Sequence, residues 1–176
     1  CVQVDLTPIG ARLLIGQPMQ ELTNQSIPLG DLLQDAADSI EDHLNSVRTW
    51  TDRFAILDRL LVGRVKTARP VSPEISWGWH RLIQSGGTVK IGQIANEIGW
   101  SRKHLNEKFR DGIGLGPKQV ARMIRFDRAV QLAQSPAVPD WLEIAQTCGY
   151  SDQSHFNRDF RSFAGITPVE FAVRRM

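Results

Sequence analysis

The chain has 176 residues, 41% of them apolar and 23% charged, an ordinary composition for a globular protein of one or two domains. No apolar run approaches the ~18 residues of a membrane helix, so no membrane association is expected. Net charge is +2, too small to argue for a polyanion partner. The excess is uneven, however: residues 1–70 hold 7 Lys and Arg against 9 Asp and Glu, and residues 71–176 hold 14 against 10. The two cysteines, Cys1 and Cys148, make neither a disulfide framework nor a CxxC metal pair. Cys148 falls in an apolar helical pattern, where a small buried thiol is expected. His43, His80, His104 and His155 show no ligand spacing, so neither a metal nor a cofactor is expected. The chain opens on Cys1 with no Met and no signal core; it reads as part of a longer protein, cytoplasmic by default.

In chain order, Val2 to Leu6 alternate apolar and polar and predict a short strand. Thr7-Pro8 predicts a capped helix to about Ile15, stopped by Gly16. A short helix follows from Pro18 to Leu22, then a turn at Ile27-Pro28-Leu29. From Asp31, the spacing of Leu32, Leu33, Ala36, Ala37, Ile40 and Leu44 predicts one helix. Another covers about Thr51 to Lys66, with Phe54, Leu57, Leu60, Leu61 and Val65 on one side. This segment holds no catalytic constellation. Residues 67–73, with two prolines, predict a linker. Ser72-Pro73-Glu74 then opens a helix carrying Ile75, Trp79, Leu82 and Ile83, closed by Ser85-Gly86-Gly87.

Beyond this point the chain repeats itself. Ile94-Ala95-Asn96-Glu97-Ile98-Gly99-Trp100-Ser101 matches Ile144-Ala145-Gln146-Thr147-Cys148-Gly149-Tyr150-Ser151 at an offset of 50. One inserted residue then shifts the offset to 51. Leu105 and Phe109 match Phe156 and Phe160, and Gly114 and Pro117 match Gly165 and Pro168. Each copy has the parts of a helix-turn-helix: a short amphipathic helix, a glycine able to take positive φ, and a serine as candidate N-cap. In the second helix only two large apolar residues point inward, and the rest are polar, as a helix lying in a major groove requires. Tetratricopeptide-like arrays also repeat helix pairs, but their period of about 34 residues does not fit. Between the copies, Pro117 to about Gln134 predicts a helix roughly 27 Å long, near the ~34 Å separating major-groove faces on one side of DNA. Lys118, Arg122, Arg125 and Arg128 lie along it. Their pattern leaves two fates open, phosphate contact or pairing with Asp127, Asp140 or the last helix.

Residues 88–173 resemble the double helix-turn-helix DNA-binding domain of the AraC/XylS family of bacterial transcription regulators. The second copy carries the likeness most strongly, from Ile144-Ala145 through Gly149-Tyr150-Ser151 and His155-Phe156 to Gly165-Ile166-Thr167-Pro168. Arg125-Phe126-Asp127-Arg128-Ala129 also fits. The resemblance implies an all-α fold: two helix-turn-helix subdomains joined by a long helix, preceded by a mainly helical segment. It implies a regulatory remnant over 1–70, the end of a domain whose β-rich sensor part lies upstream, and a DNA-binding domain over 71–176. It also implies double-stranded DNA as partner, read through two adjacent major grooves by the helices near 101–110 and 152–162. RNA polymerase and a small-molecule effector bound upstream are further partners consistent with that family.

By position, the resemblance places Arg102, Lys103, Asn106 and Glu107 on the first reading face and Gln153, Ser154, Asn157 and Arg158 on the second, with His155 nearby. Chemistry agrees for Arg158, which can grip guanine O6 and N7, and for Gln153, which can do the same to adenine. Arg110 and Arg161, further along, suit backbone phosphate. Glu107 departs from the pattern: it either accepts from cytosine N4 or pairs with Lys103 one turn back. In the second case DNA is read mainly through the second copy, by a protein that otherwise binds ligand or dimerises. An enzyme reading fails on chemistry, since the zinc-cysteine repair centre sometimes joined to such domains cannot be assembled from two cysteines.

Overall fold

In the computed structural model, residues 2–33, 36–134 and 140–174 are described. Among them the chain forms eleven α-helices and one 3-10 turn, and no strand. Val2 to Leu6, expected as a strand, has no regular structure; among the described residues there is no second strand whose ladder it could join. Helix α1 is Pro8–Ile15, capped by the Thr7 hydroxyl, which accepts from the Gly10 amide at 3.0 Å, and ended by Gly16 at φ 77°. The short helix expected over 18–22 is the 3-10 turn Met19–Glu21. The helix expected from Asp31 is seen on both sides of residues 34 and 35, which lie outside the described residues, as α2 (Leu29–Leu33) and α3 (Ala36–Ser46). Helix α4 spans Trp50–Thr67 with Thr49 as its cap.

The inward side of α4 is not the expected one. Leu57, Leu60 and Leu61 are half-buried, but Phe54 and Val65 are exposed. Arginines displace them. Arg53 donates to the carbonyls of Leu44 (3.1 Å) and Val47 (3.2 Å), at and just past the end of α3. Arg64 donates to those of Leu14 (2.9 Å) and Leu33 (3.1 Å), at the ends of α1 and α2. The last carbonyls of a helix lack intrahelical donors and carry the negative end of its dipole, so a guanidinium is well matched to them.

By its contacts the chain divides into two units. The first comprises residues 1–76 and 107–115, and includes the helices above. Within it, Thr23 Oγ1 donates to the carbonyls of Met19 and Gly114, both at 3.0 Å, and Arg12 lies 3.8 Å from Asp111.

The second unit comprises residues 77–106 and 116–176. Helix α5 (Pro73–Gln84) buries Leu82 but leaves Ile83 exposed, contrary to the pattern. Gly86 and Gly87, at φ 58° and 76°, turn the chain out of α5. An added Cβ at Gly87 would sit 2.3 Å from the carbonyl oxygen of Ala121, so only glycine permits this approach. Helices α6 (Ile91–Ile98) and α7 (Arg102–Ile113) form the first copy, and α9 (Trp141–Thr147) and α10 (Gln153–Ala164) the second. Between them α8 spans Pro117–Leu132, 16 residues or about 24 Å, slightly shorter than expected. Helix α11 (Pro168–Val173) begins with a capping box between Thr167 and Glu170. The core around α10 is aromatic: Phe160 lies 5.1 Å from Phe126, 5.8 Å from Trp141, 5.6 Å from Phe156 and 5.4 Å from Phe171, ring centre to ring centre. Ala129, Ile144, Ala145 and Cys148 complete it. Burial raises the Cys148 thiol above its ordinary pKa, against the pull of Arg128 and Arg125, so this thiol is structural rather than reactive.

Candidate nucleic-acid interface

The turn of each copy is built from the same parts. Gly99 ends α6 at φ 79°, and the Trp100 amide returns to the Ala95 carbonyl at 2.9 Å. Gly149 takes φ 74°, and the Tyr150 amide returns to the Ala145 carbonyl at 3.0 Å. In both, the aromatic residue after glycine meets the edge of a histidine on the next helix: Trp100 with His104 at 4.7 Å, Tyr150 with His155 at 5.4 Å.

The caps differ. Ser101 caps α7, its hydroxyl accepting from the His104 amide at 3.2 Å. Ser151, the expected cap of α10, does not play that part. Asp152 accepts from the His155 amide at 2.7 Å, and Ser151 donates its hydroxyl to Asp152 at 3.0 Å. The inserted residue therefore lies before the cap, and Asp152 stands where the first copy has Ser101. The bond from the His155 amide, then that from Ser151, holds the Asp152 carboxyl below its usual range, and a carboxylate also suits the positive end of a helix.

With the cap aligned, the two reading faces correspond. On α7, Arg102, Lys103, Glu107 and Arg110 are exposed and Asn106 is half-buried, while Leu105 and Phe109 are fully buried on the opposite side. On α10, Gln153, Ser154, Asn157, Arg158 and Arg161 are exposed and His155 is half-buried, opposite the fully buried Phe156 and Phe160. Arg102 is not a freely extended side chain: a Cβ on Gly92 of α6 would meet its guanidinium at 2.6 Å.

On α8 the arginines have separate fates. Arg122 Nε donates to Asp159 Oδ1 at 3.0 Å, and its second amino group to Ser162 Oγ at 3.0 Å. Arg125 lies 3.7 Å from Asp159 Oδ2 and 4.8 Å above the Tyr150 ring. Neither pairs with Asp127 or Asp140 in these contacts. Asp127 accepts from Gln131, and Asp140 caps α9. Lys118 and Arg128 are exposed. Burial above all, reinforced by Asp159, pushes the Tyr150 hydroxyl up to about 12, so it stays neutral. Sequence reasoning missed Asp159. Its signal was available, an acid three residues after Phe156 on the inward side of α10.

Among the described residues no cluster of His, Cys, Asp or Glu could hold a metal ion, and no helix is long and apolar enough to cross a membrane. The fold and the paired polar helices define a duplicated helix-turn-helix protein. A family profile described as "Helix-turn-helix domain" matches residues 94–174. "Probable transcription factor PqrA" of Proteus vulgaris is 33% identical over 103 residues, covering 57% of this chain and 81% of that protein. "HTH-type transcriptional regulator ArgR" of Pseudomonas aeruginosa is 31% identical over 137 residues, covering 73% of this chain but 41% of the relative, so the chain spans less than half of that protein. The C-terminal domain of AraT, a response regulator from Geobacillus stearothermophilus, shares the fold: TM-score 0.55, 22% identity, 60% of this chain and 88% of that one. The chain belongs to the AraC/XylS family of DNA-binding transcription regulators.

Proposed function

We propose that the chain reads an asymmetric site on double-stranded DNA by placing α7 and α10 in two adjacent major grooves, as part of a bacterial regulator acting in the cytoplasm. Residues 71–176 serve as the DNA-binding domain and residues 1–70 as the end of a regulatory domain. A small-molecule effector bound upstream and RNA polymerase are the further partners. The observation that carries this reading is the repetition of one frame, a left-handed glycine, an aromatic–histidine contact and a capped helix whose polar face lies opposite its two core residues. In this reading Arg158 and Gln153 are the base contacts, to guanine and adenine. Arg110 and Arg161 hold phosphate. Lys103, Asn106, Ser154, Asn157 and His155 line the same faces.

A second reading, in which α10 does most of the sequence reading, is favoured by two observations. Glu107 occupies on α7 the place Arg158 has on α10, and Arg102 lies against Gly92. Selecting bound duplexes from a random pool tests both. Two conserved half-sites about 10 bp apart are expected from two reading helices; one short half-site supports the second reading; no enrichment overturns both.

A further inference from the structure

Asp159 is 5% exposed, on the side of α10 that faces α8. A buried carboxylate is tolerated only when paired and hydrogen-bonded. Its partners are two arginines of α8 whose fate the sequence left open between phosphate and pairing: Arg122 is hydrogen-bonded to Oδ1, and Arg125 stands beside Oδ2, which has no hydrogen bond of its own among the described residues. Arg122 reaches Oδ1 at 2.9 Å, Arg125 stands 3.7 Å from Oδ2, and His155 Nε2, one turn back on α10, lies 3.9 Å from Oδ2. Two aromatic faces hold the guanidinium groups in place, Phe163 at 5.2 Å from Arg122 and Tyr150 at 4.8 Å from Arg125. Phe163 and Asp159 are on α10, and Tyr150 is in the turn that precedes it. The guanidinium groups thus bridge α8 to both ends of the reading helix.

We infer that Asp159 is a positioning residue for DNA reading, with two linked effects. It fixes the rotation of α10 about its own axis, and therefore the direction in which the neighbouring Arg158 points. It also holds Arg122 and Arg125 away from the phosphate backbone, so that α8 adds little sequence-independent attraction. The first copy has no such device: the matching residue is Lys108, which is exposed. The inference rests on the DNA reading proposed above.

The test is Asp159→Asn, with binding measured to a selected site and to random duplex over a range of salt. Released arginines add phosphate contacts, so the slope of log K against log salt on random duplex should steepen by about 1 to 2. Preference for the selected site should fall roughly tenfold, the lower end of one lost base contact. A residue that merely stabilised the fold would weaken both kinds of binding together and leave the slope alone. Arg122→Gln should lower the preference without steepening the slope, and the double variant should cost less than the sum of the two. If Asp159→Asn fails to melt cooperatively, Arg122→Gln carries the test by that signature. An unchanged slope and preference in the folded variants overturn the inference. The slope on random duplex needs no preferred site, so absence of any preference in the unaltered protein would count against the proposed reading and not against this one.

Discussion

In the first copy the reading helix is capped by a neutral hydroxyl and presents Lys108 to solvent. In the second, a carboxylate caps the helix, and a buried carboxylate at the position matching Lys108 ties it to two arginines of α8. What the duplication kept is the frame: the glycine at positive φ, the aromatic–histidine edge contact and the two inward side chains. What it changed is the charge at positions that secure the helix or face away from the core. Backbone geometry and core volume tolerate little change, whereas charge can diverge at small cost on the surface and in the interior only where partners meet it, as the arginines of α8 meet Asp159. One scaffold therefore carries two helices of unlike chemistry.

The comparison can be broken most strongly at the core. Phe160→Ala removes the ring at the centre of five aromatic residues and should lower stability by about 3–5 kcal/mol in denaturant unfolding, with the loss of protection concentrated in α9 to α11. Next comes a paired test of the turns. Gly99→Ala meets open space and should cost about 1–2 kcal/mol for the left-handed backbone alone. Gly149→Ala should cost about 2–4 kcal/mol, since its Cβ would also meet Thr88 Cγ2 at 2.6 Å. Equal melting shifts in the two variants would show that the Thr88 contact is immaterial. Third, Arg158→Ala should weaken binding to a selected duplex by about 1–3 kcal/mol and relax specificity at one base pair. Glu107→Ala, at the matching position, should change affinity by less than about 1 kcal/mol; a larger loss would show that the first copy reads bases through its acid.

The smallest effect separates the caps. The Asp152 carboxyl has its pKa lowered in the folded state, so its contribution is present at neutral pH and is lost as pH falls through that lowered value, below about 3.8. Asp152→Asn should melt below the unaltered protein at pH 7, and the gap should close on acidification. Ser101→Ala should show a gap that does not depend on pH in that range.

The helix boundaries of the second half were legible in the sequence because their signals are local. Pro117, Gly99 and Ser72 act through φ or through a bond three residues away, and each stands where its chemistry predicts. Errors arose where a partner distant in sequence decided the outcome. Val2 to Leu6 alternate as a strand does, but pairing is not a property of five residues. The inward side of α4 was misjudged because Arg53 and Arg64 serve carbonyls 6 to 50 residues away. Ser151 was passed over as cap because an insertion shifts the register by one residue beside a stronger acceptor. The exposed faces of α7 and α10 followed from the repeat, but the link from Asp159 to α8 crosses 37 residues and leaves only an acid on an apolar side as its trace.

The inserted residue has a practical consequence for anyone re-engineering these helices. Replacing the first reading helix residue for residue after the glycine would put Ser151 in the place of Ser101 and every later grafted residue one position late, turning each side chain by about 100° on the first copy's backbone. Splicing at the cap, Asp152 onto Ser101, preserves the phase. The two modules are interchangeable cassettes only when cut at the hydrogen bond that begins the helix, not at the turn their sequences most visibly share.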